Sequence, residues 1–318
     1  MLFRSNIDEW VNTTCPKCGG AGKRETNTMP QWAGSSWYYL RYMDPQNDHA
    51  LVDPKKEKYW APVDLYVGGA EHATRHLIYA RFWHKFLFDL GVISTKEPFT
   101  RLISVGLIQA EDGRKMSKRY GNVINPDDVI ASYGADSLRI YEMFMGPFGD
   151  AIAWNTNSMI GSRRFIERVW RLAEKFVDTP DGATERLLHK TIKKVGEDIE
   201  AFKFNTAISA MMVFVNAAEK SGITKGQFTT FITLLAPFAP HMAEELWHEL
   251  GNDGSIHTTS WPSFDTALLQ DEEVTYAIQI DGKARGEVKL PVDSSKEEAE
   301  EAARVAMADR VGRAHVGT

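Results

Sequence analysis

The chain has 318 residues, 43% of them apolar and 25% charged, which is the composition of an ordinary soluble globular protein. That length suffices for about two domains, whose cores would need no disulfide bonds. The formal net charge of −6 argues against a protein that holds nucleic acid mainly by global charge, although a local basic face is compatible with it. No stretch approaches the roughly 20 apolar residues of a membrane span, and no signal peptide is visible, so we expect a cytoplasmic protein without a membrane partner.

The first feature along the chain is a pair of cysteines, Cys15 and Cys18, in the segment T-C-P-K-C-G-G. This spacing is half of a zinc ribbon, whereas a structural zinc ion takes about four ligands. No second Cys-x-x-Cys is present, and the nearest histidine, His49, lies far along the chain. We therefore expect a knuckle without metal, and a zinc site completed by residues elsewhere is the alternative.

The next part of the chain has the order of an α/β fold. An aromatic segment, residues 31–42, precedes V-D-L-Y-V-G-G at residues 63–69, which is predicted to be a short buried strand. A helix follows and ends near Gly91, and its apolar residues recur at helical spacing: Leu77, Ile78, Phe82, Phe86 and Leu90. A second strand is predicted around residues 102–107. Strand, helix and strand in this order predict a parallel sheet.

A cationic segment, E-D-G-R-K-M-S-K-R-Y-G-N-V-I-N-P-D-D at residues 111–128, follows the second strand. Four cations crowd into residues 114–119, with Gly113 and Gly121 on either side. Asn125 as a cap and Pro126 in the first turn predict that a helix starts directly afterwards. From these residues alone, the segment either binds an anion or is a solvated turn.

After Gly134 the pattern becomes one of successive helices, which predicts a helical bundle. A break is expected at Pro237 and Pro240, and Asn205 is predicted to cap one helix. The predicted helices are residues 136–145, 159–177, 185–202, 206–220 and 224–250. The second of them carries a row of arginines that could contact phosphates: Arg163, Arg164, Arg168 and Arg171. A solvated helix face is the other interpretation of that row.

The tail changes character again. Two runs of alternating residues around Asp281 and Gly282 predict a β-hairpin, and Ser295 with Glu298 has the spacing of a capping box at a helix start. A hairpin and one helix bury little surface alone, so we expect this unit to be incomplete. The predicted domains are residues 1–134, 135–265 and 266–318.

Several long motifs in this order resemble one enzyme family. K-M-S-K-R-Y-G-N at residues 115–122 resembles the K-M-S-K-S signature of class I aminoacyl-tRNA synthetases, with Arg119 where many relatives carry Ser. Y-V-G-G-A-E-H at residues 66–72 looks like the adenosine-binding strand end of that family. Three further segments resemble leucyl-tRNA synthetases in particular: residues 24–42, G-A-D-S-L-R at 134–139 and A-P-F-A-P-H-M-A-E-E-L-W at 236–247.

The resemblance implies a Rossmann-type catalytic half, an anticodon-binding-type bundle and part of a C-terminal tRNA-binding domain. It implies ligation of leucine to tRNA(Leu) through leucyl-adenylate, with ATP and its Mg²⁺. The residues implied for catalysis are Lys115, Ser117 and Lys118. Those implied for ATP binding are Gly68, Gly69, Glu71, His72, Met116 and Lys118. Those implied for leucine binding are Trp32, Ser35, Tyr38, Tyr66, His72 and His76. The alternative interpretation of these aromatic residues is that they pack in the core and bind no ligand.

The family's H-x-G-H motif and its editing domain have no counterpart in this sequence. We therefore expect the carboxyl-terminal part of such an enzyme, inactive alone and dependent on an amino-terminal half. Three alternatives stay open: the β-type subunit of a split synthetase, a non-catalytic tRNA-binding protein derived from a synthetase, and another branched-chain synthetase.

Overall fold

The structure is a computed structural model that describes residues 4–27, 32–270, 273–280, 283–291 and 294–308. The chain divides into two compact units. Unit 1 comprises the residues up to Ile108 together with Gly149–Ala151, and unit 2 comprises Gln109–Phe148 together with the residues from Ile152 onwards. The domain limits predicted from sequence, at residues 134 and 265, follow changes in secondary structure and stay a prediction.

The secondary structure alternates in unit 1 and is mainly helical in unit 2. The strands within the described ranges are β1 (Asn12–Thr14), β2 (Ala21–Lys23), β3 (Val63–Gly69), β4 (Phe99–Val105), β5 (Ile108–Gln109), β6 (Ile152–Ala153), β7 (Glu273–Ile280) and β8 (Lys283–Pro291). The α-helices there are α1 (Asp8–Val11), α2 (Trp32–Ser35), α3 (Tyr38–Met43), α4 (Pro54–Trp60), α5 (His76–Asp89), α6 (Pro126–Tyr133), α7 (Ala135–Phe144), α8 (Met159–Leu172), α9 (Gly182–Glu200), α10 (Phe204–Ser221), α11 (Lys225–Leu235), α12 (Pro240–Glu249) and α13 (Lys296–Ala306).

Unit 1 is built on a parallel pair of strands. β3 pairs with β4 in a register that runs from Val63 opposite Phe99 to Gly69 opposite Val105. The 3₁₀ helix Ala70–Thr74 and α5 connect the two strands, and Gly91, at φ +69°, follows the end of α5. The predicted strand–helix–strand order, the parallel pairing and the helix end near Gly91 are confirmed.

The burial of unit 1 differs from the prediction. β3 is not a buried strand, because Leu65 and Val67 are exposed. The apolar stripe of α5 is exposed too: Phe82 is 69% accessible, and Ile78, Phe86 and Leu90 are also open. The buried positions of α5 are His76, Ala80 and His84, since the two histidines make hydrogen bonds with tyrosines of the unit. These side-chain hydrogen bonds decided which face of α5 is buried. The hydrophobic periodicity of the sequence gives no information about them.

Unit 2 is a helical bundle around one large core. Phe214 on α10 and Phe231 on α11 are fully buried, and their ring centroids lie 5.0 Å apart. The predicted break at the prolines is confirmed, because α11 ends at Leu235 and α12 begins at Pro240. The bundle therefore has a packed core of its own.

Three helix boundaries differ from the sequence prediction. Asn205 does not cap α10, because this helix begins at Phe204, two residues before the predicted start, and has no side-chain cap. α8 ends at Leu172 rather than at residue 177. α9 begins at Gly182, because the Asp181 side chain caps it by accepting a hydrogen bond from the Thr184 amide.

The tail forms the predicted hairpin and helix. β7 and β8 pair antiparallel, and the capping box between Ser295 and Glu298 is present at the start of α13. The predicted turn residues Asp281 and Gly282 lie outside the described residues. Gly286 of β8 lies against Met307, and any side chain at Gly286 would collide with that methionine.

None of the helices in the described ranges combines the length and the hydropathy that a bilayer crossing demands.

Candidate functional site

Six side chains predicted to bind leucine form one cluster in unit 1. This histidine cluster comprises residues of α2, α3, β3, the 3₁₀ helix Ala70–Thr74 and the start of α5: Trp32, Ser35, Tyr38, Tyr66, His72 and His76. The Tyr66 and Tyr38 rings lie 5.7 Å and 5.5 Å from that of His76. The Trp32 ring stands edge-on to His72 at 5.4 Å. The structure thus brings together residues that lie up to 44 positions apart in the sequence, which is the separation of Trp32 and His76.

His76 organises this cluster. The backbone carbonyl of Ser35 lies 3.0 Å from His76 Nε2, so Nε2 carries the proton and donates to it. Nδ1 then accepts from the Tyr66 hydroxyl at 3.0 Å. Burial lowers the pKa of His76, which keeps the ring neutral and suits this pattern. Because both ring nitrogens are occupied, His76 orients Tyr66.

His72 is the polar group that the cluster leaves available. Its Nδ1 is buried and has no hydrogen-bond partner within the described residues. The His72 ring lies beside Gly68, where a Cβ would be in ordinary contact with it at 3.9 Å. The Glu71 carboxylate folds back over Gly69, where a Cβ would collide with it. Gly69 therefore permits Glu71 to close over the carboxyl end of β3, which is the end where open α/β sheets bind ligands.

The cationic loop, residues 111–122 of unit 2, contains Lys115, Met116, Ser117 and Lys118. It opens with a tight turn in which the Ala110 amide donates to the Arg114 carbonyl at 2.8 Å, and Gly113 takes φ +73°. The Ser117 hydroxyl accepts from the Arg119 amide at 3.2 Å and so caps the short helix Lys118–Tyr120. The Asn122 side chain accepts from the Ser117 amide at 2.9 Å. Sequence reasoning gave Asn122 no role, although this residue fixes the shape of the loop.

The four cations of the loop divide into two kinds. Arg114 has partners within the protein. It forms an ion pair of 2.6 Å with Asp112 and lies 4.9 Å from the Tyr120 ring centroid. The hydrogen bonds from Arg114 lower the pKa of Asp112. Lys115, Lys118 and Arg119 are exposed and have no ion pair within the described part of the chain. Three uncompensated cations on a shaped loop favour an anion site over a solvated turn.

The arginines of α8 also differ in whether they have partners within the described protein. Arg168 makes a bidentate pair with Glu219 of α10, with Nε–Oε1 and Nη2–Oε2 distances of 2.9 and 2.6 Å. Arg163 donates to Glu167 at 2.8 Å and to the Tyr133 carbonyl at 3.3 Å. Arg164 and Arg171 are exposed and make no hydrogen bond or ion pair to the residues that the structure describes. Of the predicted phosphate contacts, Arg164 is uncompensated, whereas Arg171 lies close enough to Glu219 to contribute to the lowered pKa of that carboxylate.

Two segments that resemble motifs of leucyl-tRNA synthetases, residues 134–139 and 236–247, contact each other in unit 2. Asp136, from G-A-D-S-L-R, accepts from the Met242 amide at 2.7 Å and lies 2.8 Å from His241 Nδ1. Arg139 of the same motif donates to the carbonyls of Pro237 and Phe238 at 2.7 and 3.3 Å. The first motif therefore holds the backbone between α11 and α12.

Cys15 and Cys18 lie in the turn of the β1–β2 ribbon. The Cys15 amide donates to the Gly20 carbonyl at 2.8 Å, and backbone hydrogen bonds, first from Cys18, lower the pKa of the Cys15 thiol. This turn suits a metal-binding sulfur. Over the described residues, however, no group of three or more His, Cys, Asp or Glu side chains could hold a metal ion. The described residues do not complete a zinc site, and the expected knuckle without metal and its zinc-binding alternative both stay untested.

Models of two known protein families match two parts of this chain. The family model described as tRNA synthetases class I (I, L, M and V) matches residues 15–155. The model described as the anticodon-binding domain of tRNA ligase matches residues 181–301.

Solved structures of tRNA synthetases are also similar to this chain. The Agrobacterium radiobacter K84 agnB2 LeuRS, in a ternary complex with tRNA and LeuAMS, is 34% identical with a TM-score of 0.78. That alignment covers 98% of this chain and 42% of the LeuRS chain. Two structures of Mycobacterium tuberculosis methionyl-tRNA synthetase with methionyl-adenylate are 17% identical at a TM-score of 0.55, covering 76% of this chain and 52% of theirs. At that identity they support the fold alone.

The chain spans less than half the length of the LeuRS that it matches. Its described residues comprise part of an α/β catalytic domain, then a helical anticodon-binding domain and a small β-hairpin region. The chain belongs to the class I tRNA synthetases of the isoleucine, leucine, methionine and valine group.

Proposed function

We propose that this chain is the nucleotide- and tRNA-binding part of a cytoplasmic leucine–tRNA ligase, which activates leucine with ATP and transfers it to tRNA(Leu). The observation that carries this proposal is the cationic loop, where Lys115, Lys118 and Arg119 are exposed and uncompensated. The 34% identity to a LeuRS over nearly the whole chain supports leucine as the amino acid.

The chemistry assigns the loop a role in the first step. The leucine carboxylate attacks the α-phosphate of ATP, which forms leucyl-adenylate and releases pyrophosphate. Negative charge grows on the leaving phosphates, so cations that meet this charge in the transition state accelerate the step. Lysine suits such a role, since its ammonium is a compact charge on a flexible stem. Lys118 is the principal residue here and Lys115 assists it. Ser117 caps the short helix that begins at Lys118, and Met116 is proposed to contact ATP.

The histidine cluster is proposed to bind leucine and adenosine. Trp32, Tyr38 and Tyr66 supply an apolar wall for an isobutyl group, and His76 fixes the orientation of Tyr66. His72 has a buried nitrogen without a partner in the described structure, which fits a hydrogen bond to a ligand. Gly68, Gly69 and Glu71 border the strand end where the nucleotide would lie, and Mg²⁺ would arrive with the ATP phosphates.

Unit 1 has the surface of an incomplete catalytic domain. A parallel sheet is ordinarily covered on both faces, yet Leu65, Val67 and Leu102 of β3 and β4 are exposed. The apolar stripe of α5 is exposed as well. We propose that a catalytic half bearing H-x-G-H covers these side chains. That half could be on the same polypeptide or on a separate subunit.

Leucine-dependent pyrophosphate exchange tests this proposal. The purified chain with leucine, ATP and Mg²⁺ is expected to show no exchange above the blank, since half of the nucleotide site is absent. Adding a separately expressed half with H-x-G-H is expected to restore exchange with leucine. Exchange by the chain alone would overturn the need for that half. Restored exchange that prefers isoleucine, valine or methionine would contradict leucine as the substrate.

The bundle is proposed to bind the tRNA backbone, chiefly through Arg164. Because its guanidinium has no partner in the described structure, Arg164→Ala is expected to weaken tRNA(Leu) binding and to reduce the salt slope by about one. Arg168→Ala serves as the matched control, because this guanidinium is already neutralised by Glu219. Filter binding between 50 and 200 mM salt (about the range over which such slopes are read) measures both. Equal slopes for the wild type and Arg164→Ala would exclude the contact.

A further inference from the structure

A cavity of about 690 Å³ lies in unit 2, away from the histidine cluster and the cationic loop in sequence. The starts of α7 and α12 and the end of α6 form part of its wall, and one face of α8 forms another part. The α8 residues recur every three or four positions, as one helical face requires: Arg163, Ile166, Glu167, Trp170 and Arg171. The volume is that of a small-molecule site, for which about 300–1,000 Å³ is usual.

The lining has an apolar and aromatic character. Ile166 and Met242 are buried side chains of the wall, and Trp170 is 37% exposed. An exposed indole beside apolar side chains is a stacking surface, and nucleobases stack on such rings regardless of their sequence.

A buried hydroxyl in the wall has no partner. Ser137 is 1% exposed, and its Oγ makes no hydrogen bond within the described residues. The neighbouring carboxylate of Asp136 bonds to His241 and the Met242 amide instead. Buried polar atoms without a partner are rare in native structures. The Ser137 hydroxyl is therefore free to hydrogen-bond with a polar group of a ligand in the cavity.

The charge at the cavity is partly uncompensated. Arg163 is paired with Glu167, whereas Arg171 is exposed and makes no hydrogen bond or ion pair to the described part of the chain. A guanidinium without a hydrogen-bond partner can bind a phosphate by paired hydrogen bonds.

We propose that this cavity binds one nucleoside monophosphate unit, with its base against Trp170, its phosphate on Arg171 and a polar group hydrogen-bonded to Ser137 Oγ. The unit is a nucleotide of tRNA turned out of its stack, an assignment that rests on the proposed tRNA-binding function. A free mononucleotide shares the same chemistry, and the experiment separates the two sources.

The test uses the full chain and two probes, a tRNA(Leu) transcript in filter binding and AMP in equilibrium dialysis. Trp170→Ala is expected to weaken tRNA binding about 5- to 100-fold, which is the range for one lost base stack. Trp170→Phe retains a ring and is expected to stay within about threefold of the wild type. Trp261→Ala is the matched control, because Trp261 is a comparably exposed tryptophan of the same unit that does not line this cavity. Circular dichroism checks that each variant is folded.

The outcomes separate this inference from the proposed function. Loss of tRNA affinity with Trp170→Ala but not with Trp261→Ala supports a tRNA nucleotide in the cavity. Unchanged tRNA affinity with AMP binding that Trp170→Ala abolishes supports a free mononucleotide. If the wild type binds tRNA and neither probe responds to Trp170→Ala, the inference is overturned while tRNA binding stands. If the wild type fails to bind tRNA, the proposed tRNA function fails, and the AMP measurement alone decides the cavity.

Discussion

Replacement of Lys118 by alanine is expected to lower kcat for leucine-dependent pyrophosphate exchange about 100-fold, or about 3 kcal/mol of transition-state stabilisation. The assay uses the enzyme completed by an H-x-G-H half. Because the ammonium meets charge that develops only as pyrophosphate leaves, KM for ATP is expected to change little. Lys118→Arg keeps the charge but alters its geometry, so partial activity is expected.

The control for Lys118→Ala is a second exposed lysine. Lys58 on α4 is exposed and, within the described residues, unpaired, and Lys58→Ala is expected to leave exchange unchanged. Lys115→Ala is expected to give a smaller loss than Lys118→Ala. If Lys118→Ala raised KM for ATP and left kcat intact, the lysine would bind the ground state only, and the assigned role would be wrong.

The second large effect is expected at Asp136. Its carboxylate is nearly buried and accepts hydrogen bonds from the Met242 amide and from His241 at the start of α12. Asp136→Ala removes a helix cap and leaves the buried Met242 amide without an acceptor, which together cost about 3 kcal/mol of folding free energy. Amide hydrogen exchange of α12 measures this locally, which suits a chain of two compact units.

Two further variants are compared with Asp136→Ala in the same measurement. Asp136→Asn retains one acceptor oxygen and is expected to lose about 1 kcal/mol. Asp178→Ala removes an exposed aspartate outside the helices and is expected to change stability by less than about 0.5 kcal/mol. Equal exchange rates in α12 for Asp136→Ala and Asp178→Ala would show that the contact contributes no stability.

Much of the local structure could be predicted because its causes lie within a few residues. Asn125 and Pro126 predicted the start of α6, and the Asn125 side chain does cap it. Pro237 and Pro240 predicted the break between α11 and α12, since proline lacks the amide that a helix needs. The capping box at Ser295 depends on Glu298, only three positions away. The parallel pairing of β3 with β4 followed from a helix between two strands.

The sites were only partly predictable, because their chemistry depends on distant partners. The residues of the histidine cluster were named through a resemblance, and sequence reasoning could not show that His76 is occupied on both ring nitrogens. The structural role of Asn122 was missed, although its place in the signature was a usable signal. The cavity beside Trp170 had no sequence signal, since its wall joins α7, α8 and α12.

By itself the sequence determined the order of helices and strands, the capped helix starts at Asn125 and Ser295, and the concentration of positive charge at residues 114–119 and along α8. Only the tertiary structure decided which of those charges are neutralised: Arg168 meets Glu219 across 51 positions, while Lys118 meets no anion among the described residues. It also decided which face of α5 is buried and that Asp136 caps a helix 105 positions away. The physical reason is that caps and turns depend on backbone neighbours, whereas burial and charge compensation depend on contacts that exist only once distant segments have packed together.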